Sequence, residues 1–179
     1  MTSSKGDRSA PAILVVMGVS GSGKTTIGTL LSKRLGWPYR DADEFHPKAN
    51  IEKMKRGVAL TDDDRWPWLR AIAAFIDEER ARGVNAIVTC SALKRSYRAI
   101  IVGDRRDVRL IYLNGEKALL EARLAKRHGH FMPPSLLQSQ FDALEEPGPD
   151  EHPLTILVDA TPKAIVAEIL ERLGREARG

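Results

Sequence analysis

The sequence feature that most constrains the fold is a glycine-rich stretch, Gly18-Val19-Ser20-Gly21-Ser22-Gly23-Lys24-Thr25. It matches the pattern G-x-x-x-x-G-K-[ST]. An apolar run with Ile and Val, Ala12 to Met17, precedes it and predicts a strand that is buried on both faces. From Thr25 onward, apolar residues recur at helical spacing as far as Gly36. A strand, this loop and a helix in succession predict a phosphate-binding site at the end of a buried strand.

The residue types in this loop suit the binding of ATP or GTP. Glycines allow backbone N–H groups to curl around phosphate oxygens, and the start of a helix adds a favourable dipole. We expect Lys24 to reach the β- and γ-phosphates as a catalytic residue, Thr25 to ligate Mg²⁺, and Thr26 to complete the ATP-binding set. A glycine-rich turn with an incidental lysine is the alternative, and it leaves the strand-to-helix context unexplained.

Strand and helix patterns alternate along the rest of the chain. The predicted strands are 39–42, 85–89, 108–113 and 154–158, and the predicted helices are 93–101, 116–126 and 162–173. Such alternation requires right-handed crossovers between parallel strands, with helices on both faces of the sheet. The predicted fold class is therefore α/β, a three-layer sandwich formed by one domain, residues 1–179.

Some segments depart from this alternation. Residues 1–10 lack an apolar period and are predicted to be a disordered arm. Residues 46–82 are helical in pattern but long and charged, and residues 128–149 are rich in Pro, Gly and His. Inserted segments of this kind often serve as binding regions or lids over a site.

Two carboxylates, Asp41 and Asp43, follow the predicted second strand. The carboxyl edge of a parallel sheet is where α/β proteins bind ligands, and residues two apart on an extended segment point the same way. We expect Asp41 to lie in the shell of a metal ion and Asp43 to accept a proton from a substrate hydroxyl. The alternative is that both residues cap the helix that follows, a frequent role of aspartate.

The composition argues against several other classes of protein. The net charge of +4 is spread along the chain without a basic run, which does not favour nucleic-acid binding. The longest apolar run is too short to span a bilayer and no signal-peptide layout precedes it, so we expect a cytoplasmic protein that binds no membrane. The single cysteine, Cys90, follows an apolar run and predicts a buried thiol with no metal or redox role.

Further motifs join the glycine-rich loop. They are Asp41-Ala42-Asp43-Glu44-Phe45-His46-Pro47, Asn50-Ile51-Glu52-Lys53-Met54, Asp62-Asp63-Asp64-Arg65-Trp66-Pro67-Trp68-Leu69, Cys90-Ser91-Ala92-Leu93-Lys94 with Tyr97-Arg98, and His130-Phe131-Met132-Pro133 followed by Ser139-Gln140-Phe141. In this combination the chain resembles the gluconate kinase family. The resemblance implies a fold similar to shikimate and adenylate kinases, of the P-loop nucleoside-triphosphate hydrolase type, with a five-stranded parallel sheet. It also implies that residues 46–82 form a substrate-binding helical region and residues 126–140 a lid.

The resemblance implies nucleotide contacts for two arginines. Arg127 would stabilise charge on the transferring phosphoryl group as a catalytic, ATP-binding residue, and Arg123 would stack on adenine. Their spacing of four on a predicted helix places both on one face. The same spacing is compatible with a solvated helix surface.

The resemblance also implies a set of substrate-binding residues besides Asp43. They are His46, Arg65, Lys94 and His130, with Arg65 or Lys94 as the partner of the substrate carboxylate. Either histidine could instead make a structural hydrogen bond.

The implied function is ATP-dependent phosphorylation of D-gluconate to 6-phospho-D-gluconate, with ATP and Mg²⁺ as cofactors. The product would feed sugar-acid catabolism and the pentose phosphate pathway. A second hypothesis is a kinase of the same fold that acts on shikimate, a nucleoside monophosphate or another sugar acid. A third is a nucleotide-dependent RNA- or protein-binding module that uses the basic surface. The expected partner is gluconate, and neither nucleic acid nor a membrane is expected as a partner. The alternative of a homodimer is left open.

Overall fold

A parallel sheet forms the centre of the fold, in a computed structural model that describes residues 12–126 and 134–178. Its strands are β1 (Ile13–Met17), β2 (Tyr39–Asp41), β3 (Ala86–Thr89), β4 (Val108–Asn114) and β5 (Leu154–Leu157). They pair in the order β2-β3-β1-β4-β5, and every pairing is parallel. The carboxyl ends of all five strands therefore lie at the same edge of the sheet, as the predicted fold class requires.

The helices of the described residues cover this sheet. They are α1 (Lys24–Leu35), α2 (Lys48–Lys55), α3 (Asp62–Ala81), α4 (Arg95–Ile101), α5 (Lys117–Ala125), α6 (Pro134–Ala143) and α7 (Pro162–Arg178), with short 3-10 turns at Ala42–Phe45 and Pro149–Glu151. The inserted segment predicted to be helical, 46–82, contains α2 and α3. In the predicted lid, 126–140, residues 127–133 lie outside the described residues, and α6 follows them.

The predicted element boundaries shift by a few residues for identifiable reasons. The fourth helix begins at Arg95 rather than residue 93, because Ala92 adopts a positive φ of 45° and Lys94 is extended. The second strand ends at Asp41 because Asp41 caps the 3-10 turn that follows. The last helix continues through Gly174 to Arg178, since one glycine costs a helix only about 1 kcal/mol.

Both faces of the sheet are buried, which is why β1 is a continuous apolar run. Ile13 and Val15 pack on one side with Leu69 and Ile72 of α3, whereas Leu14 belongs to the opposite cluster. That opposite cluster includes residues of α1, α5, α6 and α7 (Ile27, Leu31, Leu120, Leu137, Ile165, Val166 and Ile169). The result is the predicted three-layer sandwich.

A close contact between α1 and the sheet fixes the direction in which the helix leaves the glycine-rich loop. A Cβ atom at Gly28 of α1 would lie 2.6 Å from the Tyr39 ring and 2.8 Å from the Thr89 side chain. Glycine at this position therefore lets the helix backbone lie against β2 and β3. Within the described residues, no helix has the length and apolar character needed to cross a membrane.

We predict that Leu14→Ala lowers the free energy of unfolding by about 2–5 kcal/mol, because it leaves a cavity between β1 and the helices on that face. Leu157→Ala is the matched control: this leucine lies on β5 of the same sheet but is 58% exposed. We expect its loss to stay within about 0.5 kcal/mol. Urea unfolding of both variants checks this, and equal losses would contradict the burial assigned to β1.

Candidate active site

The glycine-rich loop connects β1 directly to α1 at the carboxyl edge of the sheet. Gly21 and Gly23 have φ values of 82° and 96°, which L-amino acids with a side chain rarely adopt. Gly23 is also the residue that caps the start of α1. The loop thus turns its backbone N–H groups toward one another at a helix N-terminus, the arrangement that binds phosphate.

The Lys24 side chain bends back over this loop. Its Nζ donates hydrogen bonds to the carbonyl oxygens of Gly18, at 2.9 Å, and Val19, at 3.1 Å. A lysine that crosses the loop in this way can meet phosphate oxygens with little rearrangement. Thr25 and Thr26 follow it in the first turn of α1, and both are exposed.

A cavity of about 270 Å³ opens beside the loop. It is lined by Gly21, Ser22, Gly23, Thr26, Ile27, Arg123, Ala160, Pro162 and Ile165. The Arg123 guanidinium is anchored here, since it donates to the carbonyl oxygen of Val158 just after β5. A fixed planar cation opposite apolar side chains suits a flat aromatic base, and the cavity is contiguous with the phosphate loop.

The two predicted carboxylates have different surroundings. Asp41 ends β2 and accepts a hydrogen bond of 2.9 Å from the backbone N–H of Asp43, while Glu44 accepts from the backbone N–H of Asp41. The capping alternative therefore describes Asp41, which uses one carboxylate oxygen for the cap. The Asp43 side chain is 85% exposed and caps nothing.

The position of Asp43 also affects its acidity. Loss of water around it raises its pKa above 3.8, and the negative charge of Asp41 raises it further, whereas His46 and Lys24 oppose the rise. Because the side chain is largely open to solvent, we take this rise as modest. Lys24 of the phosphate loop is thus near enough for its charge to act on Asp43.

His46 is held between Asp43 and the helical insert. Its ring stacks on Trp68 with centroids 4.4 Å apart, and its Nδ1 accepts a 3.3 Å hydrogen bond from the Asn50 side chain. Trp68 in turn donates to the Ala42 carbonyl oxygen at 2.7 Å. Burial lowers the pKa of His46, so the ring is neutral, and its Nε2 lies 3.9 Å from an Asp43 oxygen. His46 therefore makes a structural hydrogen bond with Asn50, and it also lies close to Asp43. Its contact with substrate stays a prediction.

Arg65 and Lys94 converge on one carboxylate, that of Asp62. Lys94 Nζ lies 3.2 Å from each Asp62 oxygen, and an Arg65 nitrogen lies 3.7 Å from one of them. The Tyr97 hydroxyl donates to the same group, and both cations lie over the Tyr97 ring. The hydrogen bond from Tyr97 is the largest cause that lowers the pKa of Asp62, followed by the hydrogen bonds from Lys94 and by the charges of Lys94 and Arg65. We call Asp62, Arg65, Lys94 and Tyr97 the cation cluster.

Sequence reasoning missed Asp62, Tyr97 and Arg98 as parts of the site. Asp62 and Arg65 lie three apart on α3, and Lys94 and Tyr97 are also three apart, a spacing that places side chains together on a helix. Arg98 is 2% exposed, pairs with Glu151 at 2.7 Å, and donates to the carbonyl oxygens of the loop just before Lys94. Arg98 therefore holds in place the loop that precedes Lys94.

Two of the predicted site residues, Arg127 and His130, lie outside the described residues. Burial raises the pKa of the Cys90 thiol to about 12, in accord with the predicted inert thiol. Among the residues that the structure does describe, no group of three or more His, Cys, Asp or Glu side chains is arranged to hold a metal.

Comparisons with known proteins fit this geometry. A family model described as shikimate kinase matches residues 20–174. A gluconokinase from Gluconobacter oxydans is 45% identical, over 93% of this chain and 93% of its own length. A solved sugar kinase from Janibacter sp. is 43% identical with a TM-score of 0.84, covering 94% of this chain and 97% of that chain. A solved gluconokinase from Sinorhizobium meliloti is 42% identical with a TM-score of 0.82, covering 94% and 95%.

The loop, the sheet order and these relatives define the protein as a P-loop kinase. Within that class, the chain belongs to the gluconokinase family.

We predict that Lys24→Ala abolishes turnover and weakens nucleotide binding by at least about tenfold, because the lost cation served phosphate oxygens. The fold should persist, since the side chain is half-buried and donates its hydrogen bonds to carbonyl oxygens of its own loop rather than to the core. Lys33→Ala, at an exposed position in the last turn of α1, is the control and should match the wild type. Calorimetric nucleotide titration checks this; near-normal activity of Lys24→Ala would contradict the assignment of the loop.

Proposed function

We propose that this enzyme transfers the γ-phosphoryl group of ATP to the terminal hydroxyl of D-gluconate, giving 6-phospho-D-gluconate and ADP. The observation that carries the proposal is a set of polar groups between the phosphate loop and the cation cluster, which we call the polar row. Asp43 lies 3.9 Å from His46, the charge of Lys24 lowers the pKa of Asp43, and the charge of Arg65 lowers the pKa of His46. Gluconate, an extended chain of hydroxyls with one carboxylate, matches such a row.

The nucleotide end of the row suits ATP. The loop from 18 to 25 offers backbone N–H groups and Lys24 to the phosphates, and the cavity beside Arg123 offers a place for adenine. Arg127 follows Arg123 by four positions in the sequence and is proposed to stabilise charge on the transferring phosphoryl group. This proposal for Arg127 rests on the family resemblance.

The acceptor end suits a single carboxylate. The cation cluster already holds the Asp62 carboxylate with Arg65, Lys94 and the Tyr97 hydroxyl. Its two cations exceed its one anion by one positive charge, which an incoming monoanion would neutralise. We assign the gluconate carboxylate to Arg65 and Lys94 together, with His46 as a hydroxyl partner farther along the row. His130 is proposed as a further hydroxyl partner on the family resemblance alone.

The transfer itself needs few groups. The acceptor oxygen forms a bond to the γ-phosphorus while the bond from that phosphorus to the bridging oxygen of ADP breaks, and Asp43 accepts the hydroxyl proton. The raised pKa of Asp43 makes it a better proton acceptor than an ordinary aspartate. Catalysis then depends mainly on positioning and on electrostatic stabilisation.

The donor set fits Mg²⁺ bound chiefly by phosphates and water. Thr25 offers an exposed hydroxyl at the start of α1, and Asp41 keeps a carboxylate oxygen that its cap does not use. Mg²⁺ in kinases commonly takes only one or two protein ligands, so the lack of a larger cluster among the described residues agrees with it. The ion would neutralise charge on the phosphates.

The remaining assignments concern the flanking segments. Residues 46–82 are proposed as the substrate-binding region, because they carry His46, Asp62 and Arg65. Residues 126–140 are proposed as a lid on the resemblance alone, and a cytoplasmic location follows from the same family.

The experiment that tests the proposal is an acceptor panel with coupled detection of ADP. We predict turnover with D-gluconate at least about 10²-fold above that with shikimate, a nucleoside monophosphate or neutral D-glucitol, since a site that pairs polar groups rejects ligands that leave them unpaired. Preference for another acceptor would support the second hypothesis instead. ATP turnover that no acceptor stimulates, with salt-dependent RNA binding, would support a binding module.

We predict that Asp43→Asn lowers kcat with gluconate by about 10²-fold or more while ATP binding survives, because the amide cannot accept the proton. In the wild type, activity should fall as pH drops through the raised pKa of Asp43, above the 3.8 of an ordinary aspartate, and this acidic limb should vanish in the variant. Asp41→Asn should instead raise the Mg²⁺ requirement. A wild-type kcat in Asp43→Asn, or a defect confined to ATP binding, would contradict the role of Asp43.

We predict that Lys94→Met raises KM for gluconate by about tenfold or more and leaves KM for ATP within about twofold, because it removes a charge-assisted partner of the carboxylate. Lys48→Met, at an exposed position on α2, is the control and should change neither constant. Initial-rate kinetics with each substrate varied separately distinguish the cases. An unchanged gluconate KM in Lys94→Met would place the carboxylate elsewhere.

A further inference from the structure

A glutamine from α6 holds the tip of the phosphate loop. The backbone N–H of Ser20 donates a 2.6 Å hydrogen bond to Gln140 Oε1, and Gln140 Nε2 donates a 2.7 Å bond to the Ser20 hydroxyl. These residues are 120 positions apart in the chain. One side-chain amide therefore bonds to both the backbone N–H and the hydroxyl of a single loop residue, which fixes its orientation as well as its position.

The position of Lys24 indicates which side of the loop would face the end of a bound triphosphate. Lys24 Nζ bonds to the carbonyl oxygens of Gly18 and Val19, the two residues just before Ser20. Since the lysine of such a loop reaches the β- and γ-phosphates, this side of the loop lies toward the γ-phosphate. The α- and β-phosphates lie in the backbone cradle nearer α1.

The helix that carries Gln140 packs into the core. Leu137, one turn earlier on α6, is 1% exposed within the core on the α1 side of the sheet. The next loop residue, Gly21, is touched from α5, because a Cβ there would lie 3.0 Å from Leu124. The loop tip is thus held by two helices on which the core packs, and not only by β1 and α1.

We propose that Gln140 is a positioning residue for phosphoryl transfer, which acts through Ser20 to hold the γ-phosphate side of the loop in its binding shape. It touches neither substrate in this role. Gln140 therefore strengthens the binding of nucleotides that carry a γ-phosphate more than the binding of ADP. The inference rests on the proposed function only for ATP binding at the loop, and not on the identity of the acceptor.

The test compares two glutamines of the same helix. Gln140→Ala should weaken binding of a non-hydrolysable ATP analogue about tenfold, the scale of a lost hydrogen-bond pair, while ADP binding stays within about twofold. Its kcat should fall by a similar factor with KM for gluconate unchanged. Gln138→Ala is the matched control, because Gln138 is half-buried like Gln140 but bonds to Lys117 and Asp142 rather than to the phosphate loop. It should match the wild type.

Two further variants keep the test decisive if Gln140→Ala folds poorly. Ser20→Ala removes only the hydroxyl. The double variant, with Ser20→Ala and Gln140→Ala together, should weaken binding of the ATP analogue by less than the sum of the two single effects. Gln140→Glu keeps the acceptor for the Ser20 N–H but adds negative charge near the γ-phosphate, so it too should weaken the analogue more than ADP.

Calorimetric titrations of ADP and the analogue, made without any acceptor, give the result. Equal weakening of both nucleotides, or behaviour of Gln140→Ala like that of Gln138→Ala, would overturn the role of Gln140. Absent gluconate turnover in the wild type would overturn the proposed acceptor but leave this comparison of nucleotides intact.

Discussion

The pairing of β1 on both of its edges is the constraint on which the rest of the structure depends. Val15 of β1 pairs with Val88 of β3 and with Leu110 of β4, and all five residues of the strand are fully buried. A strand held on both edges and both faces cannot shift without opening the core. The loop that leaves its carboxyl end therefore starts from a fixed point, and its backbone N–H groups can be aimed at a phosphate in advance.

Other elements bring the reacting groups to this fixed point. β2 pairs with β3, and the turn after β2 carries Asp43 near the phosphate loop. Trp68 of α3 holds this turn in place by a hydrogen bond to the Ala42 carbonyl oxygen. α3 and α4 pack together and bring Arg65 and Lys94 to one carboxylate. The active site is thus a set of strand ends and helix starts whose positions follow from the packing of the sheet.

Local structure was largely predictable from the sequence, and the misassignments have local causes. The order of strands and helices, the glycine-rich loop and the burial of Cys90 were all confirmed. The predicted start of α4 was wrong because Ala92 adopts a positive φ. The spacing of apolar residues does not reveal such a backbone conformation. The roles of Asp41 were predicted as alternatives, and the structure shows the cap directly, whereas its metal role stays a prediction.

The sequence by itself determined the class of site, because a phosphate loop is written in contiguous residues and backbone conformation there depends on glycine at Gly21 and Gly23. Only the tertiary structure decided which polar side chains meet. Lys94 and Asp62 are 32 positions apart, and Ser20 and Gln140 are 120 apart, yet each pair is in hydrogen-bond contact. The spacing of apolar residues determines which face of a helix is buried. Hydrogen-bond contacts of about 3 Å depend instead on how whole helices pack against one sheet.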